Sequence, residues 1–341
     1  MNILKVSFLL FFAFLLHIYA QAPLTSQSSY IDETHETISK SVVDYSKKID
    51  TIIYNWTTSD DYYDYNETTK KTSSVDKFFK NEKYIDKTED SFVQIKLKSQ
   101  INSHDKNKID YDIKAHIPLS RSKKKFNLFI ENSLDDGSNK NNLNEIENSK
   151  TEIGVNFFSN KFYNIKPKYS VGIRSFDPFV RARYSFEKEY NDWDVELSQI
   201  FKLSIKDEFS ERTSFYFDKK IKENNLFRVY LHRETESEAD GMDYTLGLSY
   251  YIHTKENTAI RVSQSFFGNT KYKYLTDNNT YKEYSGINSY TTSVSLRKNV
   301  WKKWIYYQIS PSATFYNHNT KKENYSLDFF LEFYFGRQQN R

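Results

Sequence analysis

The stretch Tyr325–Phe335, YSLDFFLEFYF, decides the fold. Tyr325, Leu327, Phe329, Leu331, Phe333 and Phe335 share one parity. Ser326, Asp328, Glu332 and Tyr334 take the other, with Phe330 the exception. Successive side chains on a strand point to opposite faces, so this is a long strand with one apolar and one polar side. It has the length that a tilted strand needs to cross a bilayer.

Working backwards, the same period of two recurs through residues 91–336. Met242, Tyr244, Leu246, Leu248, Tyr250 and Ile252 alternate with Asp243, Thr245, Gly247 and Ser249. Ile109, Tyr111, Ile113, Ala115 and Ile117 alternate with Asp110, Asp112, Lys114 and His116. Fourteen segments result, near 91–101, 108–118, 125–132, 150–158, 167–175, 178–186, 192–205, 209–218, 225–233, 242–253, 257–267, 287–298, 303–316 and 324–335. The segments at 125–132 and 150–158 are the shortest, and without them twelve strands is the alternative. An even count suits a closed cylinder with both ends on one side of a membrane. The two longest connections, 133–149 and 268–286, follow odd-numbered segments, and connections after even-numbered ones are short. Membrane barrels show that pattern of long outer loops and short inner turns. Pro118, Pro167 and Pro178 fall at strand ends or turns. Pro311 falls inside a strand and calls for a bulge or for different strand boundaries there.

The terminal run resembles the C-terminal strand of outer-membrane β-barrel proteins of Gram-negative bacteria, which the barrel assembly machinery reads as an alternating segment closing on an aromatic residue. The resemblance implies an all-β membrane protein. Its fold would be an antiparallel up-and-down transmembrane β-barrel, preceded by a short periplasmic helical segment, with outer-membrane lipids and lipopolysaccharide as surroundings. The six residues from Tyr325 to Phe335 on the apolar face would then be the assembly signal. A soluble β-sandwich also alternates, but it favours short strands rich in Val, Ile and Leu. Here the apolar face is crowded with aromatic residues.

Composition agrees. The chain carries 28 Tyr and 27 Phe, against 8 Gly and 5 Pro, while its average is polar. Disordered chains lack such aromatics, whereas membrane barrels place them in girdles at both interfaces. The net charge of +4 is spread out, with no basic block of the kind that binds nucleic acid. Met1–Lys5 followed by the apolar run Val6–Leu16 reads as a signal peptide, residues 1–20, cut after Ala20. The chain has no cysteine, which excludes a lipid anchor, disulfides and thiolate chemistry.

Residues 21–56 carry a helical pattern. Ile31, His35, Ile38, Val42, Tyr45, Ile49, Ile52 and Trp56 step by four and three. That seam predicts subunits joined through Ile31, Ile38, Val42, Tyr45, Ile49 and Ile52, making a homo-oligomer through residues 31–56, or a helix lying in the barrel mouth, or a marginal amphipathic helix that packs locally or frays. Residues 57–90 read as a polar linker, and residues 337–341 as a tail.

If the apolar face meets lipid, the other face lines the interior. Arg174, Arg181, Arg183, Arg212, Arg228, Arg261 and Arg297, with Asp194, Glu196, Asp243, Asp328 and Glu332, then point inward. Arginine on the lipid face near mid-membrane costs about 2–4 kcal/mol, which supports that direction. Such a lumen predicts passive diffusion of small hydrophilic solutes through an electrostatic filter. The alternative is a closed barrel whose charges satisfy one another, with a structural or surface role. Uptake of hydrophobic substrates and lipid hydrolysis rank lower. His232 and His253 are the candidate bases, but no serine motif stands beside either in the sequence, and His104, His116 and His318 form no cluster. Nothing in the pattern calls for an enzyme, a cofactor or a metal. The acidic loop residues Asp135, Asp136, Glu234, Glu236 and Glu238 suggest a weaker reading, divalent cations bridging lipopolysaccharide.

Overall fold

The computed structural model describes residues 30–56, 91–119, 126–132, 151–206, 208–222, 224–237, 239–254, 258–275, 280–317 and 323–336. The expected signal peptide 1–20, the expected linker 57–90 and tail 337–341, and the connection 133–149 lie outside these residues. The chain divides into two compact units, residues 1–38 and 39–341. A helix, α1, runs Tyr30–Trp56, and its part from Ser39 onward belongs to the second unit.

The second unit holds fourteen strands: β1 (Phe92–Asn102), β2 (Lys108–Pro118), β3 (Phe126–Asn132), β4 (Thr151–Phe158), β5 (Ile165–Arg174), β6 (Asp177–Tyr190), β7 (Trp193–Ser204), β8 (Phe209–Lys222), β9 (Asn225–Glu236), β10 (Asp243–Thr254), β11 (Thr258–Leu275), β12 (Tyr281–Asn299), β13 (Ile305–Tyr316) and β14 (Glu323–Gly336). Each pairs antiparallel with its sequence neighbours, and β1 pairs with β14 from Phe92↔Gly336 to Asn102↔Ser326, closing the cylinder. Closure removes the edges that an open sheet would leave unpaired. The count is fourteen rather than twelve; the short segments at 125–132 and 150–158 are real strands paired with each other.

Side-chain direction follows the alternation. On β1, Phe92 and Gln94 are buried inside while Leu97 and Ile101 stand exposed outside. Around the wall the outer face keeps Val171, Ile173, Val180, Leu203 and Val262 more than two-fifths exposed. Aromatic residues gather on it at both ends. Phe126, Phe157, Tyr169 and Tyr184 form a chain of rings 5.2–6.4 Å apart near the end where β1 begins, where Trp304 also meets Phe333 and Phe335. Toward the opposite end Phe201 meets Phe209, and Tyr290 stacks on Phe315.

Two local expectations are corrected. Pro311 needs no bulge: it points outward opposite Leu327 in an unshifted ladder to β14. On the β12 side the register stays constant while the rungs at Val294 and Ser295 are missing, so the absent N–H of proline falls where no bond is made. The stretch 268–286 is not a plain loop. β11 and β12 continue as a ribbon past Asn269, with rungs from Tyr272↔Tyr284 to Leu275↔Tyr281, after irregularities at Phe267/Gly268 and Asn269/Tyr272. These bulges break the period of two, which is why alternation stops at Phe267 while the strand does not. The ribbon outruns its neighbours, since the β10 ladder ends at Asp243↔Asn269 and the β13 ladder at Ser289↔Tyr316.

Asp240, in the turn before β10, holds this ribbon. Its carboxylate accepts a hydrogen bond from Lys273 at 2.5 Å and lies 3.9 Å from Lys271. The Lys273 ammonium, then Lys271, holds the carboxyl below its ordinary value. A depressed carboxylate contributes to order above its unfolded pKa and loses that contribution as pH falls through the folded one. Protection of residues 271–275 and 281–284 against hydrogen exchange, taken relative to the intrinsic exchange rate at each pH, should therefore be unchanged from neutral pH down to the ordinary aspartate range and fall below it. Asp240→Asn should reproduce the fast exchange at neutral pH.

Gly247 shows how tightly the inner wall packs. Tyr230 sits directly opposite on β9, its ring lying where a Cβ would be, 1.9 Å from its Cζ, and its hydroxyl lies 2.8 Å from the Ser265 hydroxyl. Gly247→Ala should cost about 1–3 kcal/mol in urea unfolding of the detergent-folded barrel. In combination with Tyr230→Ala, most of that added cost should disappear.

Candidate functional site: the inner wall

All twelve charged residues expected to face inward sit on the inward parity of their strands, but they do not stand as a free ladder. Cross-strand register explains most of their partners. Arg228 of β9 lies opposite Asp218 of β8 and grips it with two bonds, 2.7 Å from Nε and 2.6 Å from Nη2. Arg212 lies opposite Glu234 and donates to it at 2.8 Å. Glu187 and Glu196 face each other on β6 and β7, and each has its own cation: Lys166 at 3.3 Å and Arg183 at 3.6 Å.

Other pairs reach over a strand. Arg181 of β6 stands opposite Ser170 of β5, whose small side chain lets the guanidinium pass to Glu152 of β4 at 3.2 Å and Glu131 of β3 at 2.8 Å. Phe129 and Phe179 flank it, their ring centroids 5.3 and 5.8 Å away. Both rings lie against glycines: a Cβ on Gly154 would meet Phe129, and one on Gly172 would meet Phe179. Lys202 also bonds Glu152 and covers the Phe179 ring at 4.6 Å. At the end where β1 begins, Arg297 of β12 crosses β13 to Glu332 of β14 at 2.5 Å and to the Tyr334 hydroxyl at 3.1 Å. Gln94 donates to both Glu332 and Tyr334, so the four side chains form one hydrogen-bonded network that is almost fully enclosed.

Arg174 lies 3.7 Å from Asp177, Arg261 donates to Ser295 at 3.3 Å, and Asp194 pairs with Lys220 at 3.4 Å. Asp243 accepts from Asn269 at 2.5 Å, and Asp328 lies beside Gln100 and Lys98. The charge is unevenly spread. On β11 to β13 the inner wall is dominated by hydroxyls, paired as Ser263–Ser293, Ser295–Ser310 and Thr291–Thr314 at 2.7–2.9 Å.

Sequence reading missed the partners Glu131, Glu152, Asp218 and Lys202. Each sits on the inward parity, which is legible, but its pairing depends on which strand lies next to which. The same is true of His232. Its Nδ1 is 2.7 Å from the Ser214 hydroxyl, directly opposite on β8, and its Nε2 is 3.4 Å from the Tyr216 hydroxyl. A serine does stand beside that histidine, across the sheet rather than along the chain. No carboxylate is among the partners named here, and the three residues form a hydrogen-bonded patch of wall. Among the described residues no group of three or more metal-ligating side chains occurs. The residues expected to form an assembly signal, Tyr325 to Phe335 at alternate positions, lie on the outer face of β14. On α1 the expected seam is divided. Ile31, Ile38, Tyr45 and Ile52 are exposed, while Val42 and Ile49 are half-buried beside the buried Ser46 and Asp50.

These features define a closed antiparallel β-barrel with a polar, self-paired interior and an apolar exterior. No protein-family model matches the chain, and no curated protein matches it in sequence. Solved structures similar to it in strand arrangement include OmpT, an outer membrane protein of Vibrio cholerae, at 7% identity and a TM-score of 0.44, covering 72% of this chain and 97% of that one. A bacterial polysaccharide outer membrane secretin aligns at 10% identity and a TM-score of 0.39, over 72% of this chain and 98% of that one. The KdgM porin, in complex with disordered oligogalacturonate, aligns at 7% identity and a TM-score of 0.34, over 70% and 98%. The likeness is one of class.

Glu332→Gln leaves the Arg297 guanidinium enclosed without its charge partner, and should cost about 3–5 kcal/mol in unfolding. Replacing both by apolar residues, Arg297→Met with Glu332→Leu, should restore most of that loss. The comparison separates the worth of the pair from the cost of orphaning one member.

Proposed function

We propose that the chain is a barrel of the Gram-negative outer membrane and acts as a porin-like channel, passing small hydrophilic solutes by diffusion through a charge-lined lumen. The observation that supports the membrane reading is the exposed apolar outer wall, framed by aromatic groups at both ends and wrapped around a polar interior. Water would not tolerate that much exposed apolar surface on a soluble protein, and lipid would not tolerate an open sheet edge. Fourteen strands fall a little short of the sixteen to eighteen that leave wide aqueous channels, so the bore is narrow and its lining charges matter. On this reading the end where β1 begins is periplasmic, the β11–β12 ribbon is external, and the lipid partners include lipopolysaccharide. The assembly machinery would read the outer face of β14. Copies could associate through the exposed residues of α1. No chemistry is assigned.

A second reading is favoured by one specific observation: the inner charges are paired along the wall. A closed barrel with a structural or surface role would show the same pairing. Planar-bilayer conductance of the refolded protein separates the two. Discrete steps are expected for a channel, and silence at all voltages and salt concentrations would leave the closed barrel. Pairing also predicts how selectivity responds. Asp218→Asn unmasks the Arg228 charge, so the reversal potential in a salt gradient should shift toward anions. Arg228→Gln should shift it toward cations.

A further inference from the structure

We infer that the outer wall carries an interface for a second copy of this chain, centred on Arg233 and Glu211 toward the end opposite the start of β1. This rests on the membrane reading and not on the channel reading. Both residues take the outward parity of their strands: Arg233 of β9 lies opposite Tyr244, and Glu211 of β8 opposite Phe201. They form an ion pair, the arginine side chain 46% and the glutamate side chain 23% exposed. Thr213, directly opposite Arg233, donates to Gln199 of β7 at 2.6 Å. These polar side chains on three neighbouring strands form one patch.

The wall around it is apolar. Phe215, Leu231 and Leu246 stand on the side toward the start of β1, and Leu203 and Phe209 on the other, all of them exposed. Tyr244 does not shield the pair, since its ring lies against Gly268, on the far side of β10 from Arg233. Ions on an apolar wall are costly to leave against lipid. A lipid phosphate would need a surplus of positive charge, and Glu211 already balances Arg233. A second copy needs no surplus, because it brings the same acid and the same base.

Strand tilt makes the match geometric. Rows of paired residues climb toward the far end from strand to strand: the row through Trp193, the first residue of β7, meets Phe227 on β9 and Val262 on β11, progressively further from the starts of those strands. Glu211 stands further along its strand than the row of Arg233 but one strand earlier, so the two displacements nearly cancel. A tilt near 40° leaves the pair within about 2 Å in depth, side by side around the circumference. Copies in one membrane share its normal. A two-fold axis along that normal, passing between the two residues, therefore sets each Arg233 beside the partner's Glu211. Polar contacts of this kind hold membrane segments together once they meet.

Thr213 falls almost on that axis, and the chain has no cysteine of its own. Full-length Thr213→Cys, reconstituted into liposomes and oxidised with copper phenanthroline, should therefore give a disulfide-linked dimer. Leu97→Cys, exposed on the outer face of β1, should stay monomeric. Charge reversal tests the contact without a cysteine. Glu211→Arg alone and Arg233→Glu alone should each weaken self-association in detergent by about a hundredfold or more. Mixed together, the two variants should associate again, because every contact across the axis then joins opposite charges. Repair within one chain cannot produce that result. Heat-modifiable migration on a gel shows that each variant is folded, and where a reversal does not fold the Thr213→Cys result decides. No Thr213→Cys dimer, or folded variants that stay monomeric when mixed, overturns the interface. A monomer that loses bound lipid phosphate on Arg233→Gln assigns the patch to lipid and overturns it likewise. Native protein that stays soluble without detergent overturns the membrane reading itself.

Discussion

A strand has to send its backbone hydrogen bonds to another strand, most strictly in the lipid setting proposed for this barrel, and the rest of the molecule follows from meeting that demand. Pairing of β1 with β14 completes the ladder and leaves the cylinder without an edge. Once closed, it has one inside and one outside, and the period of two sorts every side chain between them. The outside becomes a band of Val, Ile and Leu bounded by rings. The inside must take whatever remains, which is a crowd of arginines, lysines, carboxylates and hydroxyls.

That crowd sets the second constraint. A charge on the inner wall is partly withdrawn from water, and leaving it unpaired is costly. The wall answers with direct cross-strand pairs where register provides them, as for Arg228 and Asp218. Where it does not, long side chains cross a strand bearing small residues, as Arg181 does over Ser170. The glycines serve the same economy of space: Gly154, Gly172 and Gly247 each leave room for an aromatic ring laid against the wall. The interior is thus charged yet locally balanced, and in the proposed channel selectivity would arise from small imbalances between partners and not from a bare file of cations. The hydroxyl sector on β11–β13 adds a smooth, neutral side to the same bore.

The two ends differ. Toward one, β11 and β12 outrun the cylinder as a ribbon fastened by Asp240, an exposed and salt-sensitive attachment. Toward the other, Ser46 of α1 meets Ser91 at the start of β1. Both features lie beyond the repeating part of the barrel, where side-chain chemistry and not the ladder decides what holds.

Local alternation placed the strands of the repeating barrel and the face each residue takes, because the period of two is a property of the backbone, while strand pairing decided between fourteen strands and twelve. Tyr325–Phe335 could be read without knowing its neighbours. The ribbon beyond Gly268 could not, because bulges reset the period, and Pro311 could not, because its tolerance depends on a rung missing from an adjacent strand. Who pairs with whom lay out of reach for the same reason. Glu152 and Arg181, or Ser214 and His232, are far apart in the chain and meet only through register and closure. Whether the seam on α1 faces a partner, the wall or water was likewise undetermined, since a helical stripe specifies a face and not its occupant. Tertiary structure decided that Ser46 and Asp50 are covered with Val42 and Ile49 half-buried beside them, while Tyr45 and Ile52 stand exposed.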